Sequence, residues 1–282
     1  MLTRHLQSPT PPIAQAFFLH GFSDHCNAYF SFPPTLALAG IEFFSFDQRG
    51  WGRSCGSNKA QWGVSGDTRQ LFADIDELLL LRLSAHPGLP LFLVSHSMGG
   101  GTGLAYAHSG AHRDKLAGVV AWSPMIDFAA ESRPSVFMLA AGKLAARIFP
   151  GYQMLNRLNA TAMSRDAEAC RVFANDQLCH DTGTLLGIAE MLDRGKGLRD
   201  KSVVKRFPEN LPVLVAHGTG DKVTDCEASR KFVDMLEVKD KTFKAYDGWY
   251  HKLHAEPEED RAMFANDVVE WIRARCSETS RL

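Results

Sequence analysis

The sequence contains no apolar run of the ~18–20 residues that a membrane-spanning helix needs. Its opening stretch, Met1 to Pro12, is polar and proline-rich and lacks the apolar core of a secretory signal. It has no CxxC pair. The 6 cysteines (Cys26, Cys55, Cys170, Cys179, Cys226 and Cys276) are scattered, which fits reduced thiols better than a disulfide framework or a zinc site. These absences point to a cytoplasmic protein. Neither charge is in excess: 31 Lys+Arg against 32 Asp+Glu leave a formal net charge of −1. The basic footprint of a nucleic-acid binder is therefore missing, and nothing favours a strongly anionic substrate. No internal repeat and no low-complexity tract is present beyond the short Ser8–Pro12 stretch, which reads as a mobile lead-in. What remains is a chain of 282 residues, 45% hydrophobic and 22% charged, long enough to bury a core without covalent staples.

Short apolar runs alternate with longer helical patterns, the signature of βαβ units and a parallel sheet. Strands are predicted at Ala14–His20, Ile41–Phe46, Leu91–Ser95, Leu116–Trp122, Pro212–His217 and Thr242–Tyr246. A helix is predicted over Gly66–Ala85, with Leu71, Ile75, Leu78 and Leu79 on one stripe and Arg82 falling on the same stripe. A closing helix is predicted from Glu258 to Arg275. Residues 124–208 break the alternation, carrying helical patterns and no convincing strand. They read as an inserted helical cap, or lid, on a core made of residues 1–123 and 209–282.

The chemistry concentrates where the Leu91 strand runs into a helix through Ser95-His96-Ser97-Met98-Gly99. This is close to the G-x-S-x-G nucleophile elbow, in which small flanking residues let strand and helix pass closely around a strained serine. The first glycine is replaced by Ser95, and an isolated match of this kind could equally be a helix cap at Ser97. A serine needs a base. His251 lies in the loop after the last predicted strand and Asp221 just past the Pro212 strand, so that Ser97, Asp221 and His251 follow in the chain order of the α/β-hydrolase fold. Each has a bland reading: an N-cap, a turn aspartate beside Gly220, a surface histidine. Jointly, three such residues at strand ends make a nucleophile–base–carboxylate set. His254 is the rival to His251, and Asp225 a weaker rival to Asp221. The oxyanion hole needs two backbone N–H groups. Met98, after the nucleophile, supplies one, and Phe22, in the His20-Gly21-Phe22 turn, the other. Asp47-Gln-Arg-Gly-Trp-Gly-Arg-Ser54 lacks the Lys-Ser/Thr tail of a phosphate loop and the third glycine of a dinucleotide site, and reads as structural.

The stretches FFLHGFSDH, FDQRGWGRS, LVSHSMGG, SPMI, HGTGDKVTD and YHKLH, spread from about residue 14 to 275, resemble the monoacylglycerol lipase family of α/β-hydrolases. The resemblance implies a mostly parallel central sheet flanked by helices, with an inserted helical cap. It implies Ser97, Asp221 and His251 as catalytic residues, and Phe22 and Met98 as oxyanion donors. Asp24 and His254 fall where the family binds the substrate's glycerol head group. A family arginine has no counterpart, since Ala28 stands in its place. Family members also carry a hairpin before the first matching strand. Too few residues precede Ala14 for two strands, so either the sheet lacks its first N-terminal strand or the sequence is truncated. The expected activity is hydrolysis of fatty-acyl esters of glycerol, chiefly monoacylglycerol to glycerol and free fatty acid through an acyl-enzyme. The chemistry needs no cofactor and no metal. A lysophospholipase or broad carboxylesterase is the alternative, kept open by Ala28, and a catalytically silent lipid-binding relative is a third reading. In the cap, Phe137, Leu144 and Ile148 share one helical face, and Lys143 and Arg147 share another. That face could pack on the core. The resemblance favours a lid that touches a membrane or lipid-droplet surface transiently.

Overall fold

The computed structural model describes residues 1–279. Nine strands run β1 Thr3–Leu6, β2 Ala14–Leu19, β3 Ile41–Phe46, β4 Leu91–His96, β5 Leu116–Trp122, β6 Gln153–Leu155, β7 Thr182–Thr184, β8 Val213–Gly218 and β9 Lys241–Tyr246 among the described residues. The helices are α1 Phe32–Leu38, α2 Gly52–Cys55, α3 Thr68–Ala85, α4 Ser97–Ser109, α5 Val136–Ile148, α6 Ala167–Asn175, α7 Leu185–Gly197, α8 Lys201–Val204, α9 Cys226–Met235 and α10 Glu258–Thr279. Strands β2, β3, β4, β5 and β8 are buried along nearly their whole length and mostly apolar, because helices cover both faces of the sheet.

The main sheet has seven strands in the order β1-β3-β2-β4-β5-β8-β9. All neighbouring pairs are parallel except β1, which lies antiparallel on β3 with Thr3 opposite Phe46. The sheet therefore has a single N-terminal edge strand ahead of β2. It lies in the polar stretch where no strand was predicted, since four residues with half-exposed alternation are too short to register as a strand by pattern. One face packs Phe17, Leu93, Val119 and Val215 against α3, α4 and α9; the other packs Phe18, Phe92, Trp122 and Leu214 against α1 and α10.

Arg82 breaks the apolar stripe of α3 for a physical reason. Its guanidinium donates to Glu42 of β3 at 2.8 Å and stacks over Phe44, so the two charges enter the core as a pair.

Between β5 and β8 the chain leaves the sheet and builds α5, α6, α7, α8 and a two-stranded antiparallel ribbon of β6 and β7. The ribbon corrects the expectation of a strandless insert: with three residues per strand, no alternation is long enough to read. It is pinned to the core. The His180 ring lies between Trp51 and Trp62, nearly parallel to both, with ring centres 4.9 and 4.6 Å away. Gly63 sits at φ +68° directly beneath β7, where a Cβ would come within 2.2 Å of the Thr182 carbonyl oxygen.

Candidate active site

The carboxyl ends of parallel strands collect loops at one edge of an α/β sheet. Here that edge holds Phe22 after β2, Ser97 after β4, Asp221 after β8 and His251 after β9. Ser97 begins α4 at φ +53°, a left-handed conformation that L-residues rarely adopt. The turn survives because its neighbours leave room. A Cβ on Gly99 would lie 2.4 Å from the Leu19 carbonyl oxygen, so helix and β2 touch backbone to backbone. The Ser95 departure from the elbow pattern is absorbed in the same way. Its hydroxyl donates to the Val120 carbonyl at 3.1 Å and occupies space left by Gly103, whose added Cβ would stand 2.7 Å from it.

The three side chains converge. Ser97 Oγ is 2.9 Å from His251 Nε2, and His251 Nδ1 is 2.8 Å from Asp221 Oδ2. A carboxylate only accepts, so His251 Nδ1 donates to Asp221 and leaves Nε2 to accept the serine proton. The rivals stand elsewhere: Asp225 caps α9, and His254 Nδ1 accepts from the Trp122 indole at 3.1 Å. Asp221 is further held by Val223 N–H at 2.7 Å, by the Thr224 hydroxyl at 2.8 Å and by His217 at 3.1 Å. Burial alone would raise the Asp221 carboxyl. The neighbouring His251 and His217 rings and their hydrogen bonds outweigh it and hold the group well below the usual carboxylate range. His217 and Thr224 were not singled out from sequence, although His217 opens the stretch that contains Asp221.

Phe22 and Met98 both line the cavity that holds the serine. Met98 N–H lies in the first turn of α4, where helical amides have no intrahelical acceptor. The cavity measures about 110 Å³. Its walls are mostly apolar, including Phe128, Leu158, Ile188 and Met191, with His96, His251 and Lys252 as basic side chains.

Asp24 and His254 are not on that wall. Asp24 is fully buried and receives Tyr29 O–H at 3.0 Å, Lys252 Nζ at 2.9 Å and His25 N–H at 3.1 Å. His254 is stacked on Tyr29 with centres 4.3 Å apart. Both residues lie outside the lining of the serine cavity, and protein donors occupy the Asp24 carboxylate. Cys26 is buried too: desolvation and the neighbouring Asp47 push its thiol up, away from reactivity. The Asp47 loop is structural, its carboxylate accepting from Cys26 N–H and Arg53 N–H, each at 2.7 Å.

Behind the serine lies a nest of buried histidines. Burial, then nearby basic groups, lowers His96 and His254 well below 6.5. Burial likewise lowers His20, against the opposing pull of Asp47. A histidine with a depressed folded pKa takes up its proton on unfolding, so stability is full above the unfolded value of 6.5 and declines as pH falls below it. The melting temperature is accordingly expected to be flat above about pH 7 and to drop progressively below about 6.5. Differential scanning fluorimetry across pH 8 to 4.5 checks this, and a melting temperature that rises on acidification contradicts it.

Residues 10–258 match a family profile described as serine aminopeptidase, S33. A Schizosaccharomyces pombe protein provisionally named a monoglyceride lipase is 35% identical, over 93% of this chain and 68% of its own length. The Mycolicibacterium smegmatis monoacylglycerol lipase is 29% identical over 93% of this chain and 89% of its own. A crystal structure of a soluble variant of the Saccharomyces cerevisiae monoglyceride lipase, in complex with a substrate analog, superposes with a TM-score of 0.90. It is 26% identical, with 97% of this chain and 91% of that chain covered. Fold and relatives together define an α/β-hydrolase that cleaves carboxylic esters. More narrowly, the chain belongs to the S33 serine hydrolases and, among them, to the monoacylglycerol lipase family.

Proposed function

We propose that the protein hydrolyses monoacylglycerols to glycerol and fatty acid. The observation that carries this reading is a serine hydroxyl, hydrogen-bonded to a carboxylate-held histidine, opening onto a greasy cavity. His251 Nε2 takes the Ser97 proton as Oγ attacks the ester carbonyl, and Asp221 stabilises the imidazolium. The Phe22 and Met98 N–H groups receive the developing oxyanion. The imidazolium then protonates the departing glycerol oxygen, and a water repeats the sequence on the acyl-enzyme.

Residues 124–208 act as the cap. Phe128, Asn156 and Ile188 line both the serine cavity and a second one beneath α5, of about 120 Å³. That continuity offers an acyl chain an apolar route out of water. The outer face of α5 is the larger anomaly: Phe137 is 84% exposed, Leu144 60% and Ile148 61%. An apolar face turned outward, with Arg147 nearby, suits reversible docking on a membrane or lipid droplet. No helix is long and apolar enough to cross a membrane among the described residues. On this reading the protein works from the cytoplasm and docks reversibly at such surfaces.

One assay tests both parts. Monooleoylglycerol in vesicles is expected to turn over at least tenfold faster than lysophosphatidylcholine. The double variant Phe137→Ser/Ile148→Ser is expected to lose most of that vesicle activity while retaining hydrolysis of dissolved monobutyrin. Preference for the lysophospholipid overturns the substrate assignment, and an unaffected double variant overturns the docking face.

A further inference from the structure

The wall of the serine cavity has one formally charged residue among the described residues, Lys252. It follows His251 directly, and it also lines a separate cavity of about 150 Å³ with His25, Asn27, Phe173 and Asp176. Lys252 is the one residue common to the two linings. It is 5% exposed. An ammonium carries three N–H donors. Asp24 Oδ2 accepts one at 2.9 Å, and the Phe173 ring lies 4.2 Å from the nitrogen. Among the described residues Asp24 accepts the one hydrogen bond from Nζ, and Asp176 acts on it at longer range. A buried cation with donors to spare is costly unless something else accepts from it.

The position of those donors follows from the reaction. His251 must hand its proton to the leaving oxygen, so the alcohol half of the ester lies within hydrogen-bond reach of Nε2. The apolar walls at Phe128 and Ile188 take the acyl half. The alcohol half then extends toward the neighbouring residue, Lys252. Local charge limits what it can be. Asp24 neutralises the ammonium. Beyond it stands Asp176, which accepts from His25 Nε2 at 2.9 Å. His25 Nδ1 accepts from Asn27 N–H at 3.2 Å and Leu178 N–H donates to Asp176 at 2.9 Å, so the ammonium of Lys252 acts on two carboxylates, Asp24 and Asp176.

Resting on the esterase reading above, we infer that Lys252 is a specificity-determining residue that donates hydrogen bonds to the free hydroxyl oxygens of a neutral polyol head group. Asp24, itself fixed by Tyr29 and the His25 amide, is its positioning residue. The second carboxylate disfavours a head group bearing phosphate.

The test compares two dissolved esters with the same acyl chain, monobutyrin and ethyl butyrate, which differ only in head-group hydroxyls. The wild type is expected to favour monobutyrin in kcat/KM. Lys252→Met is expected to lower that preference roughly 10- to 100-fold, mainly through KM, as loss of hydrogen bonds from a charged donor should. Lys252→Arg is expected to restore part of it. Because Lys252→Met leaves a lone buried carboxylate, Asp24→Asn/Lys252→Met provides a charge-free pair, which is expected to fold and to show the same lost preference. A butyryl ester of glycerol phosphate is expected to be the poorer substrate in the wild type. If the folded double variant keeps the preference, or both esters slow equally in every variant, Lys252 is structural and the inference fails. It fails too if the phosphate ester is turned over as well as monobutyrin. If the wild type hydrolyses neither ester, the esterase reading fails first.

Discussion

Ser97→Ala is expected to reduce kcat on a p-nitrophenyl ester by roughly 10⁶-fold, with the melting temperature within a few degrees of wild type. At ~1.4 kcal/mol per decade that is a loss of about 8 kcal/mol of transition-state stabilisation. No packing defect could account for such a change, because alanine keeps the backbone and removes a single oxygen. The hydroxyl contributes one hydrogen bond, to His251, and lies in a turn whose strain at φ +53° the alanine inherits. Asp221→Asn is expected to cost about 10⁴-fold, since an amide can present N–H to His251 and favour the wrong tautomer. A fluorophosphonate probe provides the independent readout. It should label the wild type and leave Ser97→Ala unlabelled. Labelling that persists, or activity that survives, removes Ser97 from the mechanism and revives a catalytically silent reading of the site.

What could be read from the sequence was what sterics or chemistry force into a short window. The elbow is legible because a nucleophile at positive φ between a strand and a helix tolerates only small neighbours. The α3 stripe is legible because burial of one face imposes a period, and the strands β3 and β5 because burial of both faces makes a short, largely apolar run. The contents of the cavity wall are less so. Asp24 and His254 occupy motif positions, but whether a side chain faces the substrate or the protein depends on what else reaches it. Here Tyr29 and Lys252, from distant parts of the chain, reach Asp24 first. Lys252 carries no pattern signal: a lone lysine beside a histidine in a loop looks like solvated surface. Arg82 was the visible exception, a cation on an apolar stripe, and its explanation lay on β3. The β6–β7 ribbon is held by the Trp51–His180–Trp62 stack, whose members are spread over the sequence and share no spacing rule.

Gly99→Ala is expected to cost about 3 kcal/mol of stability, the upper part of the usual range for overpacking, and roughly 100-fold in kcat. The obstacle is space, not conformation. The new methyl would meet the Leu19 and His20 carbonyl oxygens at 2.4 and 2.5 Å, and both belong to the backbone, which cannot rotate aside as a side chain can. Relief requires α4 and the carboxyl end of β2 to separate. That end leads through Gly21 to Phe22, so separation moves one proposed oxyanion donor away from the other at Met98, and loss of one donor costs about 10²–10³ in rate. Stability and catalysis should therefore fall together. A matched control is available in Gly142→Ala on α5, where an added Cβ meets nothing within 4 Å. There the same methyl should be neutral or stabilising by up to ~1 kcal/mol, through helix propensity alone. Thermal melts and steady-state kinetics on the two variants decide the matter. Equal, mild effects in both would mean that the tight crossing of helix and strand does not hold the oxyanion hole together.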